Sequence, residues 1–339
     1  MELSRRGVFT ALVLTVILSV SAEVLNLSEE LEEDGYFRKE HSLTKPYTGA
    51  GMDIPNWDFV GSTMVASSYI RLTPDRQSKQ GALWNKIPVH MHNWEILVQF
   101  SVSGSGRQLF GDGFAFWYTK EHAELGPVLG NRDFFTGLGV FFDTYSNHNG
   151  VHTHEHPYIS AIVSDGGVHY DHDKDGTHSQ VAGCTAKFRN KEHDTFFAIS
   201  YVDRELSVFH NIEGDDNWAE CFNAPNIDLP TGYYFGFSAA TGDLADNHDI
   251  ISVKVYDVDS EGDENDDGKE EIDWSTITPK AANSEPKRPH VDNSIGVTET
   301  RGFRYVTAGI IFLVVVTAIA LTIFYIRKAQ EEKSKKRFF

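Results

Sequence analysis

Residues 94–102 read Trp-Glu-Ile-Leu-Val-Gln-Phe-Ser-Val and form the clearest strand pattern in the chain. Every second residue from Trp94 to Val102 is apolar, and the residues between them are mostly polar. A period of two predicts a β-strand with one buried face. Short aromatic or β-branched runs of the same kind lie at 114–118, 140–142, 196–202, 233–237 and 250–255.

Clusters of Gly, Asn, Asp and Pro separate these runs, and the stretch shows no long amphipathic helix pattern. Many short strands divided by turn residues are typical of a large antiparallel sandwich. The sequence therefore predicts a single all-β domain over residues 41–258.

The chain has 339 residues and a formal net charge of -19. This excess of acid excludes a nucleic-acid-binding protein held by phosphate contacts, because acidic side chains repel the phosphates. Ten of the acidic residues lie between Asp257 and Asp273, where the only base is Lys269. The strand pattern stops at Val258, so residues 259–305 are predicted to form an acidic stalk.

The first 22 residues have the pattern of a secretory signal peptide. Arg5 and Arg6 precede an apolar run from Val8 to Val20, and small residues end the run. Such a segment is removed from the mature protein. Residues 23–40 would then form a short N-terminal luminal segment.

A second apolar run, Val306–Ile326, has 21 residues and no charge. A helix of this length spans roughly 30 Å, which matches the apolar core of a bilayer. Arg327 and Lys328 follow directly, and basic residues predominate in 327–339. Positive charge on that side predicts a cytoplasmic tail, and hence a type I membrane protein.

The chain has two cysteines, Cys184 and Cys221. In the oxidising lumen of the secretory pathway a structural disulfide between them is expected, and two free buried thiols are the alternative. Asn26-Leu27-Ser28 is a sequence for N-glycosylation, and its occupancy stays open.

Three acidic loops are candidate cation sites, of which the third, beginning at Asp257, has Gly268 at its twelfth position instead of a glutamate. The first, Asp143-Thr144-Tyr145-Ser146-Asn147, follows an apolar strand and offers the side-chain and carbonyl oxygens that suit calcium. The second, Asp171–Gly176, resembles the first half of a calcium-binding loop, but its twelfth position is Ala182 instead of a glutamate. The first two loops could share one site, and two solvated turns are the alternative. The acidic stretch from Asp257 is interpreted as solvated.

Seven of the 15 histidines lie between His148 and His178. His152, His154 and His156 alternate, so on a strand they would share a face and could hold zinc. We favour the alternative of an exposed polar loop. A third hypothesis is that these histidines sense pH near a cation.

Enzymatic motifs are scarce in this sequence. It contains no Gly-x-Ser-x-Gly, no phosphate loop, no His-Glu-x-x-His and no Glu-x-Asp-x-x-Glu strand of the kind found in sandwich-fold glycosidases. The sequence therefore predicts a protein that is not an enzyme. A glycoside hydrolase on the same sandwich, and an adhesion module that recognises protein at the cell surface, stay as alternatives.

Four motifs together resemble the animal L-type (leguminous-type) lectins, and in particular their vesicular integral membrane lectin subgroup of ER–Golgi cargo receptors. In chain order the motifs are Gly111–Tyr118, Phe142–Asn147, Tyr170–Gly176 and Thr241–Leu244. The phrase Ile272-Asp273-Trp274 and the C-terminal residues extend the resemblance over nearly the whole mature chain. The His-rich segment after Asn147 is longer than the subgroup leads us to expect.

The resemblance implies a legume-lectin-like jelly-roll sandwich that binds high-mannose N-glycans on glycoprotein cargo through one calcium ion. The implied calcium ligands are the side chains of Asp143, Asn147 and Asp175 and the carbonyl of Tyr145. The implied carbohydrate-binding residues are Ser78, Asp112, Asn147, His172, Gly242, Asp243 and Leu244.

The last four residues, Lys336-Arg337-Phe338-Phe339, resemble sorting signals. Lys336 and Arg337 resemble a retrieval signal read by the COPI coat, and Phe338 and Phe339 resemble an exit signal read by COPII. The expected location is the ER, the ER–Golgi intermediate compartment and the Golgi, in transport or quality control. A membrane-flanking basic segment with accidental aromatics is the alternative.

Overall fold

The computed structural model describes residues 35–47, 54–147, 155–214, 218–258 and 273–281. In these ranges the chain forms strands and one short 3-10 helix, η1 (His172–Lys174). The strands are β1 (Tyr36–Phe37), β2 (Trp57–Gly61), β3 (Met64–Val65), β4 (Ile70–Thr73), β5 (Lys79–Asn85), β6 (Trp94–Ser103), β7 (Gly113–Thr119), β8 (Thr136–Asp143), β9 (Tyr158–Asp165), β10 (Gln180–Thr185), β11 (Thr195–Val202), β12 (Glu205–Asn211), β13 (Ala219–Pro225), β14 (Ile227–Asp228), β15 (Tyr234–Thr241), β16 (Asn247–Asp257) and β17 (Lys280–Ala281).

Most strands belong to two antiparallel sheets. The eight-stranded sheet has the order β13-β12-β11-β6-β16-β4-β3, with β1 paired to β16. The seven-stranded sheet has the order β10-β9-β8-β7-β15-β5-β2. Strands distant in sequence, such as β7 and β15, are therefore neighbours, and long connections carry the chain from one sheet to the other. This arrangement confirms the predicted all-β sandwich.

The main core lies between the two sheets. Trp94, Ile96, Val98, Phe100 and Val102 on β6 are each 1% exposed or less, as the period of two predicts. Aromatic rings of β7 meet this face, with centroid distances of 5.4 Å for Phe100–Phe114 and 5.4 Å for Trp94–Tyr118. Such ring pairs add to the stabilisation that apolar burial provides.

Strand β7 is buried on both faces, which explains its continuous apolar sequence. On the face away from the main core, Trp117 packs against Phe135 at a centroid distance of 5.0 Å, and its indole nitrogen donates to Ser238 Oγ at 2.7 Å. Phe135 precedes β8, so the segment between β7 and β8 covers the outside of the sheet. The central strands that carry the site described below are thereby held from both sides.

The disulfide between Cys184 and Cys221 is present, as predicted from the sequence. Cys184 lies on β10 and Cys221 on β13, which are edge strands of different sheets. The bond therefore links the two layers of the sandwich at one side.

Part of the segment predicted as an extended stalk packs against the sandwich instead. The ring of Trp274 stacks on His92 with centroids 3.8 Å apart, and Thr231 N donates to the carbonyl of Trp274 at 3.1 Å. Ala281 is buried and pairs with Ile227. Apolar groups in 273–281 thus pack on the sandwich, which the acidic sequence directly before them does not indicate.

Several predicted features lie outside the described residues. They are the signal peptide 1–22, most of the luminal segment 23–40 including Asn26, the stalk apart from 273–281, the helix 306–326 and the tail 327–339. In the part of the chain that the structure describes, no helix has the length and hydropathy needed to cross a membrane.

Candidate functional site

The candidate site lies at one edge of the seven-stranded sheet, where the strand register brings distant residues into a row. Asp143 at the end of β8 pairs with Gly113 of β7 and with Tyr158 of β9. Gly113 in turn pairs with Ala240 of β15, and the next residue of β15 pairs with Lys79 of β5. The residues just beyond these strand ends therefore meet, although they are far apart in the sequence.

Two carboxylates form the centre of the site. Asp143 is 7% exposed and Asp175 is 9% exposed. Asp143 Oδ1 accepts a hydrogen bond from the backbone N–H of Tyr145 at 2.9 Å. Asp175 Oδ1 accepts from Asn147 Nδ2 at 3.0 Å, and Asn147 N donates to both oxygens of Asp175 at 3.2 Å. The structure thus brings together the four residues predicted to hold calcium, and it brings the two acidic loops to one place.

The turn that carries Asp175 explains the acidic repeat at 171–176. Asp171 caps η1 by accepting from Asp173 N at 3.1 Å, and Asp175 ends the turn with φ 50°. Aspartate tolerates this left-handed conformation better than most residues. A Cβ at Gly176 would lie 2.6 Å from the ring of Tyr170, so glycine is required there. The repeat builds a tight turn that orients a single carboxylate.

The structure corrects the expectation of an exposed position for His156. We favoured an exposed loop for the histidines of this segment, but the side chain of His156 is only 6% exposed. Its Nε2 lies 3.9 Å from Asp143 Oδ2 and 3.8 Å from Asp175 Oδ2. One ligand atom from each of these three residues lies within 4.8 Å of the other two. His152 and His154 lie outside the described residues.

The electrostatics of the paired carboxylates favour a bound cation. Burial and the nearby Asp175 raise the pKa of Asp143 well above its ordinary value. Burial and the same two carboxylates also raise the pKa of Tyr170. No lysine or arginine among the described residues pairs with either carboxylate. A divalent cation would offset this repulsion, and the oxygens of Asp143, Asn147 and Asp175 are the type that calcium prefers.

A second group of residues adjoins the carboxylates on the side of β7 and β15. Asp112 precedes β7, its backbone carbonyl accepts from Thr144 N at 2.9 Å, and its own N–H donates to Ala240 O at 3.3 Å. A Cβ at Gly242 would lie 3.2 Å from Asp112 Oδ2, so the absence of a side chain at 242 keeps this carboxylate accessible. Burial, followed by the negative charges of Asp243 and Asp246, raises the pKa of Asp112 to about 6.

Hydrogen bonds to backbone carbonyls hold the loop that follows β15. Ser78 N donates to Gly242 O at 3.0 Å, and Gln77 Nε2 donates to Asp243 O at 2.6 Å. A Cβ at Gly111 would lie 3.7 Å from Leu244 Cβ. The predicted carbohydrate-binding residues Ser78, Asp112, Gly242, Asp243 and Leu244 are therefore brought into one region by β5, β7 and β15.

His172, the remaining predicted sugar contact, lies in η1, in the turn that ends at Asp175. Its ring packs against Tyr170 at a centroid distance of 4.8 Å. Burial lowers the pKa of His172 from its ordinary value. The ring is therefore kept neutral to a lower pH and can donate or accept one hydrogen bond.

A buried ion pair beneath this loop had no signal in the sequence. The guanidinium of Arg189 binds Asp246 through Nη2 at 2.7 Å and Nε at 2.9 Å, and the two side chains are 8% and 0% exposed. The same guanidinium lies 4.1 Å from the ring centroid of Phe110, just before Asp112. The pair therefore supports both segments that carry the predicted sugar contacts.

The fold and the site define a legume-lectin-type sandwich with an acidic, cation-binding edge. The profile of the legume-like lectin family matches residues 34–265. The human vesicular integral-membrane protein VIP36 is 42% identical over 342 residues, which cover 98% of this chain and 92% of that protein. The human VIP36-like protein is 41% identical over 312 residues, which cover 90% of this chain and 86% of that protein.

A solved structure shows the same similarity. The crystal structure of the VIP36 exoplasmic/lumenal domain in its Ca2+/Man-bound form has 46% sequence identity and a TM-score of 0.67, and the match covers 73% of this chain and 98% of that chain. The chain belongs to the legume-like lectin family. This membership confirms the predicted family and fold, and it indicates carbohydrate binding without enzymatic conversion, as the sequence suggested.

Proposed function

We propose that this protein is a calcium-dependent lectin that binds high-mannose N-glycans and carries glycoproteins between the ER and the Golgi, or retains them in quality control. The observation that carries the proposal is the meeting of the Asp143–Asp175 pair with Asp112 and Gly242 at one sheet edge. The solved relative, described with Ca2+ and Man bound, supports the same assignment.

In this proposal calcium is held by the side chains of Asp143, Asn147 and Asp175 and by the carbonyl of Tyr145. The bound ion supplies positive charge that fixes these oxygen ligands in place. The 2.9 Å hydrogen bond from Thr144 N to the carbonyl of Asp112 joins the cation loop to the sugar-binding side. Ordering the loop before the sugar arrives lowers the entropic cost of binding.

The sugar would be recognised by hydrogen bonds to its hydroxyl groups. Asp112 supplies acceptor oxygens, Asn147 supplies an amide donor and acceptor, and neutral His172 supplies one further group. The remaining contacts would come from Ser78, Gly242, Asp243 and Leu244. A single site of this kind is expected to bind weakly, so capture of cargo would require several glycans or several receptors at once.

The proposed transport of the protein between the ER and the Golgi rests on its predicted N-terminal and C-terminal segments and on the name of a relative. A signal peptide, a luminal lectin domain over 41–258, a stalk and a helix at 306–326 describe a type I membrane protein. The name of the relative VIP36 describes it as a vesicular integral-membrane protein. We propose that Lys336 and Arg337 bind COPI and that Phe338 and Phe339 bind COPII.

A glycan array tests the proposed function directly. The full chain, purified in detergent, should bind high-mannose glycans with calcium and lose that binding when a chelator is added. Equal binding with and without chelator would contradict the calcium mechanism. Release of free sugar from a high-mannose substrate would support the hydrolase alternative instead.

Glycan binding should weaken as the pH falls, because Asp112 loses its charge. With a pKa of about 6, the Asp112 carboxylate is about 96% ionised at pH 7.4 and about half ionised at pH 6. Its protonation replaces an acceptor by a donor, so at limiting calcium the affinity should fall about twofold over this range. A bound cation lowers the pKa of a nearby carboxylate, so at saturating calcium the loss should begin at lower pH.

Affinity for a high-mannose glycopeptide, measured by calorimetry from pH 7.4 to pH 5, checks this prediction. The variant His172→Gln is the control. Because burial lowers the pKa of His172, its ring becomes charged at a lower pH than an ordinary histidine, and the variant should keep the pH dependence. Loss of the pH dependence in this variant, or its absence from the wild type, would contradict the assignment to Asp112.

A further inference from the structure

The donor set of the cation site contains a nitrogen as well as oxygens. His156 Nε2 faces Asp143 Oδ2 and Asp175 Oδ2 at 3.9 and 3.8 Å, and its side chain is 6% exposed. We infer that this site also binds a divalent transition-metal ion such as zinc, and that His156 Nε2 is then a direct ligand together with Asp143 and Asp175. The inference rests on the proposed cation site and not on sugar binding.

The sheet register places His156 at this position. Tyr158, the first residue of β9, pairs with Asp143, the last residue of β8. His156 comes two residues before Tyr158 and therefore lies beside the end of β8. Backbone pairing of the neighbouring Tyr158 therefore places His156 near the carboxylates, and its side chain is 6% exposed.

The distances suit coordination better than direct hydrogen bonding. Separations of 3.8 and 3.9 Å are longer than a hydrogen bond between nitrogen and oxygen. Ligands about 2.0–2.1 Å from a tetrahedral zinc ion lie roughly 3.4 Å from each other. Each of the two nitrogen–oxygen pairs therefore needs to approach by only about half an ångström to enclose a zinc ion.

The chemistry of the donors separates zinc from calcium. Calcium is a hard cation that takes six to eight oxygen ligands, so an imidazole nitrogen adds little to its binding. Zinc binds histidine nitrogen together with aspartate oxygen. Loss of the imidazole should therefore weaken zinc binding strongly and leave calcium binding almost unchanged. A histidinium ion paired with the two carboxylates is the alternative, and it predicts no zinc effect.

The test compares metal binding by the full chain in detergent after removal of metals with a chelator. Calorimetric titrations with zinc and with calcium are run on the wild type and on His156→Gln. The His156→Gln variant should bind zinc about 100-fold more weakly, whereas its calcium affinity should change by less than about threefold. Near-ultraviolet circular dichroism establishes that the variant is folded.

A matched control removes two histidines that precede His156 in the sequence and lie outside the described residues. The double variant with His152→Gln and His154→Gln should keep its zinc affinity within about threefold of the wild type. X-ray absorption at the zinc edge of this double variant should show one imidazole with oxygen ligands. This measurement tests for the proposed imidazole ligand of zinc even if His156→Gln does not fold.

Three results would overturn the inference. They are the absence of zinc binding by the wild type, a zinc affinity of His156→Gln within tenfold of the wild type, and an all-oxygen zinc shell in the double variant. Failure of the proposed function is a separate outcome, because it is the loss of chelator-sensitive glycan binding. Zinc binding that depends on His156, in a protein that shows no chelator-sensitive glycan binding, would support His156 as a metal ligand and contradict the proposed lectin function.

Discussion

Replacing Asp175 with asparagine is expected to abolish calcium binding and, with it, binding of high-mannose glycans. Asp175 provides one of the two carboxylates that the described residues place at the centre of the site, and it is 9% exposed. Its oxygens also hold Asn147, through hydrogen bonds of 3.0 and 3.2 Å. Removing its charge leaves a divalent cation with a single carboxylate, so we expect calcium affinity to fall at least about 100-fold. Calcium calorimetry and the glycan array measure the two losses.

Asp173→Asn is the matched control for this prediction. Asp173 belongs to the same turn but is exposed, so its loss should leave both affinities unchanged. The calcium-free Asp175→Asn variant should also be at least as stable as the wild type, since the charge of Asp175 contributes to the raised pKa of Asp143. Calcium binding by Asp175→Asn at wild-type strength, or equal losses in both variants, would contradict the site.

Among the variants proposed for this protein, Asp246→Ala is expected to lower the free energy of unfolding the most. The change would leave the guanidinium of Arg189, which is 8% exposed, without the carboxylate that binds it at 2.7 Å. An uncompensated buried charge costs about 3–5 kcal/mol. Because the pair supports the segments around Phe110 and Asp243, glycan affinity of the remaining folded protein should also fall. Thermal and denaturant unfolding measure the change in stability.

Two comparisons make this prediction specific. Glu124→Ala breaks the exposed pair with Arg132, in which the glutamate is 56% exposed, and should leave the unfolding midpoint almost unchanged. The double variant with Arg189→Met and Asp246→Leu removes both charges and should recover much of the lost stability. A midpoint of Asp246→Ala equal to that of Glu124→Ala would show that the buried pair does not stabilise the fold.

Much of the fold followed from local patterns along the chain. The alternation from Trp94 to Val102 predicted β6 and its buried face, because a strand turns successive side chains to opposite sides. The disulfide followed from two cysteines in a chain predicted to enter an oxidising compartment. The packing of Trp274 on His92 did not follow, since a lone aromatic in an acidic segment carries no information about its partner.

The candidate site was predictable in part. Asp143, Asn147 and Asp175 lie in loops whose acidic composition indicates oxygen ligands for a cation, and the resemblance to a family indicated which of them to combine. His156 was assigned to an exposed loop because a run of histidines is most often solvated. Only the pairing of β8 with β9 shows that this ring faces the two carboxylates.

The sequence by itself determined the all-β class, the buried face of β6, the disulfide and the family. These depend on residue type and on short-range periodicity, which are visible in a linear chain. The tertiary structure alone decided the position of His156 and the Arg189–Asp246 pair. Arg189 and Asp246 are 57 positions apart, and their contact arises from the register and order of strands that are not consecutive. Such contacts depend on how the two sheets assemble, and no local pattern of residues encodes them.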